Sequence, residues 1–216
     1  MEKPSNSQKR LRIYFTGVGG QGTLTATNLL ACTALHAGLA VVAGEVHGMA
    51  QRGGVVESML LLGGWRAPKL DFGEADILLG FEPLETLRGL PYLRPGGLVF
   101  SSSDCLPPLS VLLGQADYPD MTQIRQEAQR VAGQCHFLPC REMGLRAGSA
   151  QSGNTVMLAA VCASGVLPFG VDALEAAIHK FLPPRLHAVN LKAVELGRAF
   201  VGASGAARGS DNLPLE

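Results

Sequence analysis

The chain predicts an α/β domain of three layers, with a mostly parallel sheet between helices and additional helices at its C-terminal end. Three observations carry this expectation. Strand-like and helix-like segments alternate from residue 11 to residue 138. The first strand runs directly into a glycine-rich turn that opens a helix. From residue 155 onward the apolar spacing is helical only. Alternation of this kind is the signature of strands joined by crossover helices.

Residues 11–16 are apolar and β-rich and stop at glycine, so they read as the first strand. A helix over 21–37 follows, rich in Ala, Leu and Thr, and Gly38 is placed to end it in a left-handed cap. Residues 39–43 read as a second strand, parallel to the first through a right-handed crossover. Residues 45–54 read as a polar, glycine-bearing loop, and 55–62 as a strand interrupted by Glu57 and Ser58. Residues 63–75 connect to a short buried strand at 77–80, a helix at 82–90 and a strand at 98–101 behind Pro95-Gly96-Gly97. Then come 111–113, a polar helix at 122–131 and a last strand at 136–138. Helices are expected at 155–163, 171–181 and 188–201. The organisation is thus a flexible N-terminus (1–9), one domain (10–201) and a small, polar tail (202–216) expected to be disordered.

Composition excludes several function classes. The 216 residues carry 18 Lys+Arg against 18 Asp+Glu, so no basic footprint for nucleic acid or anionic lipid exists. Aromatics are 6%, too few for base-stacking platforms. The polar start and the short, glycine-broken apolar run behind it do not read as a secretory leader. No stretch reaches the roughly 18 apolar residues of a membrane helix. A cytoplasmic protein is expected, with no nucleic-acid or membrane partner. The five cysteines, Cys32, Cys105, Cys135, Cys140 and Cys162, form no CxxC. Cys135 and Cys140 begin a plant-type cluster spacing, but Met143 stands where the third cysteine belongs. All five are therefore read as reduced, mostly buried thiols.

Gly17, Gly19 and Gly22, with Gly20 and Gln21 between them, fit G-x-G-x-x-G between a strand and a helix. Glycines let the backbone turn tightly against an anion, and the helix start supplies free N–H groups at the positive end of its dipole. This makes the domain Rossmann-like. A nucleotide-hydrolysing loop is excluded, because Thr23 stands where its lysine must be. A dinucleotide site needs an acid near the end of the second strand, and Glu45 is close to that place. Close helix–sheet packing alone would also account for the glycines.

The second informative segment is 44–54, GEVHGMAQRGG. It places Glu45, His47, Gln51 and Arg52 among glycines that include Gly53 and Gly54. Sheet topology puts such a loop beside the glycine turn at the ligand-binding edge. Glu45 and His47 lack a third ligand nearby, so no metal site is expected. A plain solvated pair of Glu45 with Arg52 is the bland alternative.

Together, GVGGQG and GEVHGMAQRGGVVES resemble the gamma-type domain of 2-oxoacid:ferredoxin oxidoreductases, and within that family its indolepyruvate-oxidising branch. Further matches are Glu82-Pro83-Leu84-Glu85 after a strand, Tyr118-Pro119, residues 154–158, and Asn190 with residues 193–197. The likeness spans about residues 10–200. Two departures stand out: Ala159 where the family often has glycine, and a looser segment at 143–152. The resemblance implies oxidative decarboxylation of a 2-oxoacid, such as indolepyruvate or another aryl pyruvate, to an acyl-coenzyme A, with electrons passed to ferredoxin. It implies thiamine diphosphate and iron–sulfur clusters in a larger partner subunit, coenzyme A as cosubstrate, and no tightly bound cofactor in this chain. The implied site comprises Gly17, Gly19, Gly20, Gln21, Gly22, Glu45, His47, Gln51, Arg52, Gly53 and Gly54. A free-standing NAD-dependent dehydrogenase and a non-catalytic coenzyme-binding or assembly module are the competing readings.

Overall fold

The structure is a computed structural model and describes residues 9–47, 54–107, 109–115 and 117–209. In chain order the elements are β1 (Leu11–Val18), α1 (Thr23–His36), β2 (Val41–His47), β3 (Val55–Leu62), β4 (Ala75–Gly80), α2 (Pro83–Gly89) and β5 (Leu93–Ser102). Then follow α3 (Leu109–Leu112), α4 (Met121–Val131), β6 (Gln134–Leu138), α5 (Cys140–Ala147), α6 (Gly153–Ala163), α7 (Val171–Phe181) and α8 (His187–Gly209).

The six strands lie in the order β2-β3-β1-β4-β5-β6. The pairs β1–β4, β4–β5 and β5–β6 are parallel, and β3 is antiparallel to both β1 and β2. Both faces are covered, which is why β1 is apolar on successive residues rather than on alternate ones. Ile13 and Phe15 face a core shared with α1, α5, α6, α7 and α8, while Tyr14 faces a second core with α2 and α4. These are the three layers the alternation predicts.

One expectation about neighbours is corrected. β2 does not pair with β1; β3 lies between them. The apolar end of β3, with Leu60, Leu61 and Leu62 fully buried, gains more from a central position than the half-buried β2 would. β3 pairs along its whole length, from Leu11↔Leu62 to Val18↔Val55. The same pairing lengthens β2. Glu45, Val46 and His47 face Ser58, Glu57 and Val56, so the strand runs past residue 43 and takes in the start of the expected loop.

Two helical stretches differ from expectation as well. The sequence pattern predicts no helix at α5, since Gly144 dilutes it, yet the helix is amphipathic and buries Cys140, Met143, Gly144 and Ala147 on one face. α8 continues to Gly209, beyond Gly202 where an irregular tail was expected. α6 is apolar all round and sits at the centre, with residues 156–162 almost wholly buried. α8 crosses it closely because residue 197 is glycine. A Cβ there would lie 2.2 Å from the Val156 carbonyl oxygen and 2.8 Å from the Ala159 methyl. Gly38 ends α1 with φ +80°, as its position suggested.

Candidate functional site

The chain leaves β1 for α1 on one face of the sheet and leaves β4 for α2 on the other. The crevice outside the carboxyl ends of these two strands is a topological switch point, where open α/β sheets bind ligands. The glycine turn lies in that crevice. Gly20 (φ +98°) and Gly22 (φ +81°) adopt a backbone that other residues reach only under strain. Gly17 is needed for space: a Cβ there would stand 2.7 Å from the Thr23 hydroxyl.

The turn is fastened from three sides. Gln21 does this with both ends of its side-chain amide: Oε1 accepts from Val18 N at 2.7 Å, and Nε2 donates to Phe81 O at 3.1 Å. Phe81 N in turn donates to Thr16 O at 2.8 Å. Gly19 N donates to Gly54 O at 2.8 Å, which brings the end of the second loop against the turn, as its topology suggested. Asn154, in the first turn of α6, donates to the carbonyls of Gln21 (2.8 Å) and Gly22 (3.3 Å). No side chain caps α1, and the N–H groups of Thr23, Leu24 and Thr25 have no acceptor among the described residues. They form the positive end of a fourteen-residue helix and suit an anion.

A cavity opens on each side of the turn. One, of about 420 Å³, is the more polar of the two, lined by Gln21, Phe81, Ser102, Asp104, Arg141 and Asn154, with Cys105, Leu106 and Cys140 at its wall. The other, of about 340 Å³, lies between α1, α6 and the start of α8, and is walled by Leu29, Leu158, Leu182, Leu186 and Val189. Gly20, Gln21, Gln151 and Asn154 line both, so the turn divides one bipartite cleft.

Buried and half-buried groups brace the polar wall. Asp104 Oδ2 accepts from the Ser102 hydroxyl at 2.8 Å and from Arg141 N at 2.6 Å, so it caps α5 from another element. Glu82 is fully buried; its Oε2 accepts from Glu85 N at 3.0 Å, and its Oε1 accepts from Leu106 N at 3.2 Å and from the Tyr118 hydroxyl. Burial, reinforced by that bond to Glu82, pushes the Tyr118 phenol up. Burial also raises the Glu85 carboxyl, against the lowering influence of Arg88. Cys140 is pushed up to about 12 by burial, so it stays a thiol and is not a poised nucleophile. Among the described residues no group of three or more metal-ligating side chains forms. The arrangement can bind and orient an anionic ligand.

Of the residues the sequence singled out, Gly17, Gly19, Gly20, Gln21, Gly22 and Gly54 come together. Glu45 sits exposed on the edge strand β2, with β3 between it and β1. His47 ends β2, opposite Val56. Gln51, Arg52 and Gly53 lie outside the described residues. Phe81, Glu82, Asp104, Arg141 and Asn154 were missed as site residues. Glu82 and Asn154 stood in noted motifs, but only the sheet order shows that those motifs meet.

Fold and site together define an α/β domain with a glycine turn at the switch point of its sheet. The family model for pyruvate ferredoxin/flavodoxin oxidoreductase matches residues 12–200, and the chain belongs to that family. It is 38% identical over 194 residues to the indolepyruvate oxidoreductase subunit IorB of Pyrococcus horikoshii, covering 88% of this chain and 95% of that one. It is 38% identical over 188 residues to the subunit IorB of Archaeoglobus fulgidus, covering 87% and 94%. Among solved structures it resembles the keto/oxoacid ferredoxin oxidoreductase gamma subunit of Geobacter sulfurreducens (TM-score 0.64, 22% identity, 89% of this chain and 99% of that one). It also resembles the 2-oxoglutarate:ferredoxin oxidoreductase of Magnetococcus marinus, in a structure with 2-oxoglutarate, coenzyme A and succinyl-CoA bound (TM-score 0.66, 20% identity, 91% of this chain and 32% of that one). Among the described residues no helix is long and apolar enough to cross a membrane.

Proposed function

We propose that this chain is the small subunit of an indolepyruvate ferredoxin oxidoreductase, acting on indolepyruvate or related aryl pyruvates. The observation that carries this reading is 38% identity to subunits IorB over nearly their whole length. In this reading a larger subunit supplies thiamine diphosphate and iron–sulfur clusters, and ferredoxin receives the electrons through the complex. The five cysteines form no disulfide, which suits a cytoplasmic protein, although only Cys140 and Cys162 are buried, fewer than the sequence leads one to expect.

The part of this chain is to receive coenzyme A. Its phosphates meet the free N–H groups at the start of α1, and the bipartite cleft gives the remainder polar contacts on one side of the turn and apolar contacts on the other. Gln21, with both amide ends engaged, shapes the turn rather than touching the ligand. The working unit is residues 10–201. Arg52, outside the described residues, is proposed to grip a carboxylate or phosphate with its planar fork of donors. In that case Arg52→Lys harms the assembled enzyme nearly as much as Arg52→Ala, by roughly tenfold to a hundredfold.

Reconstitution tests the reading. Purified alone, the chain is inactive toward 2-oxoacids. Mixed with the large subunit of an indolepyruvate oxidoreductase, it gives coenzyme A-dependent viologen reduction with indolepyruvate. Viologen reduction by this chain alone, or no activity from the mixture, overturns it.

A further inference from the structure

Two residues at the end of β4 join parts of the site that lie far apart in the chain. Phe81 holds the glycine turn through its backbone, accepting from Gln21 Nε2 at 3.1 Å and donating to Thr16 O at 2.8 Å. Glu82 holds the other side. Its Oε2 caps α2 through Glu85 N at 3.0 Å, while its Oε1 takes Leu106 N at 3.2 Å and the Tyr118 hydroxyl. Both donors follow β5 in the chain, and Leu106, with Asp104 and Cys105 before it, walls the polar cavity.

Capping does not require this arrangement. A cap needs one acceptor oxygen, and Asp, Asn, Ser or Thr is the usual choice, not Glu. A wholly buried carboxylate is costly unless its lone pairs find donors. Here the second oxygen serves two donors outside α2: Leu106 N, in the cavity wall, and the Tyr118 hydroxyl. We infer that Glu82 is a positioning residue, a clasp that through Leu106 N and the Tyr118 hydroxyl holds Asp104, Cys105 and Leu106 in the wall of the polar cavity and thereby sets how tightly that cavity grips its ligand. That the ligand is coenzyme A rests on the function proposed above; the clasp itself does not.

Two variants separate clasp from cap. Glu82→Asp keeps a good capping oxygen for α2 but is one methylene too short to hold Leu106 and Tyr118 as well. Tyr118→Phe removes only the hydroxyl. Two buried cysteines serve as reporters. Cys140 lines the polar cavity, and Cys162 lies in the core of α6. The full-length chain is treated with N-ethylmaleimide and each cysteine is followed by mass spectrometry. In both variants Cys140 is modified about tenfold faster than in the parent, as expected when a charge-assisted bond is lost, while Cys162 stays slow. In the reconstituted enzyme the KM for coenzyme A rises about as much, with kcat held within about twofold. Cys140 remaining as slow as in the parent overturns the proposal. So does equal acceleration of Cys140 and Cys162, which reports general loosening. Faster Cys140 with an unchanged KM for coenzyme A supports the clasp and refutes the coenzyme A assignment.

Discussion

The side-chain amide of Asn154 donates to the backbone carbonyl of Gln21 at 2.8 Å, joining residues 133 positions apart in the chain. It also reaches the Gly22 carbonyl at 3.3 Å, so the start of α6 holds the glycine turn by two oxygens that face inward. Only a donor works in this place. Asn154→Ala is expected to cost about 1 kcal/mol of stability, the usual worth of a lost hydrogen bond. Asn154→Asp should cost more, because it sets a carboxylate against two carbonyl oxygens. Urea unfolding of the three proteins gives the order. An Asp variant as stable as the Ala variant would show that donation by the amide is not what holds the turn.

The contact between α6 and α8 offers a test of sign. Gly197 faces Val156 O at 2.2 Å from its would-be Cβ, whereas Gly202, in the same helix, has nothing within 4 Å. Helix propensity alone favours alanine over glycine by about 1 kcal/mol at either position. At Gly197 overpacking opposes that gain. The blocking atoms belong to the backbone of a buried helix and cannot swing aside, so the cost should approach or exceed about 3 kcal/mol. Thermal unfolding should therefore show Gly197→Ala clearly destabilised and Gly202→Ala neutral or slightly stabilised. Equal effects at the two positions would mean that α8 does not approach α6 this closely.

How much of this was legible in the chain depends on range. β3 was read with its observed ends, because Val55–Leu62 carries its own β-rich pattern. α7 was likewise read as it stands, with apolar residues spaced for one face. The glycine turn was legible because its chemistry is local: strand, glycines, helix. The place of β3 between β1 and β2 was not. Nothing within 39–43 says which neighbour it takes, and the choice falls to the burial of Leu60, Leu61 and Leu62. The clasp of Glu82 on Tyr118 was hidden for the same reason. Both residues stood in noted motifs, yet their contact depends on how β4 and β5 lie in the sheet.

Glu85 gives a pH dependence with a definite sign. It is fully buried, and burial raises its carboxyl above the ordinary value of 4.5. Arg88, 2.7 Å away and partly exposed, offsets only part of this. A raised acid binds its proton more tightly in the folded state than in the unfolded one. Its contribution to stability is fully present below about pH 4.5 and is lost as pH rises through the folded value. Glu85→Gln has no such loss. The Tm of the Gln variant relative to the parent should therefore rise as pH rises from 4.5 and then level off. A gap that stays constant with pH would mean that Glu85 titrates as an ordinary surface carboxyl.

The last prediction separates this domain from the dehydrogenase its glycines suggest. A dinucleotide site needs an acid at the carboxyl end of the strand beside β1, where it takes the ribose hydroxyls. Here the strand on that side is β3, which runs antiparallel, and the residues opposite Gly17 and Val18 are Val56 and Val55. Glu45 lies one strand further out, on the edge. With strands about 4.8 Å apart, it is displaced by roughly 10 Å from β1 across the sheet. Neighbouring Gly44 packs against Pro68, only 2.7 Å from its would-be Cβ, which leaves β2 little room to shift. Isothermal calorimetry should accordingly find no micromolar binding of NAD or NADP, and Glu45→Ala should leave coenzyme A-dependent activity of the reconstituted enzyme within about twofold of the parent. Micromolar binding of NAD that Glu45→Ala abolishes would restore the dehydrogenase reading and remove the reason for placing coenzyme A in the cleft.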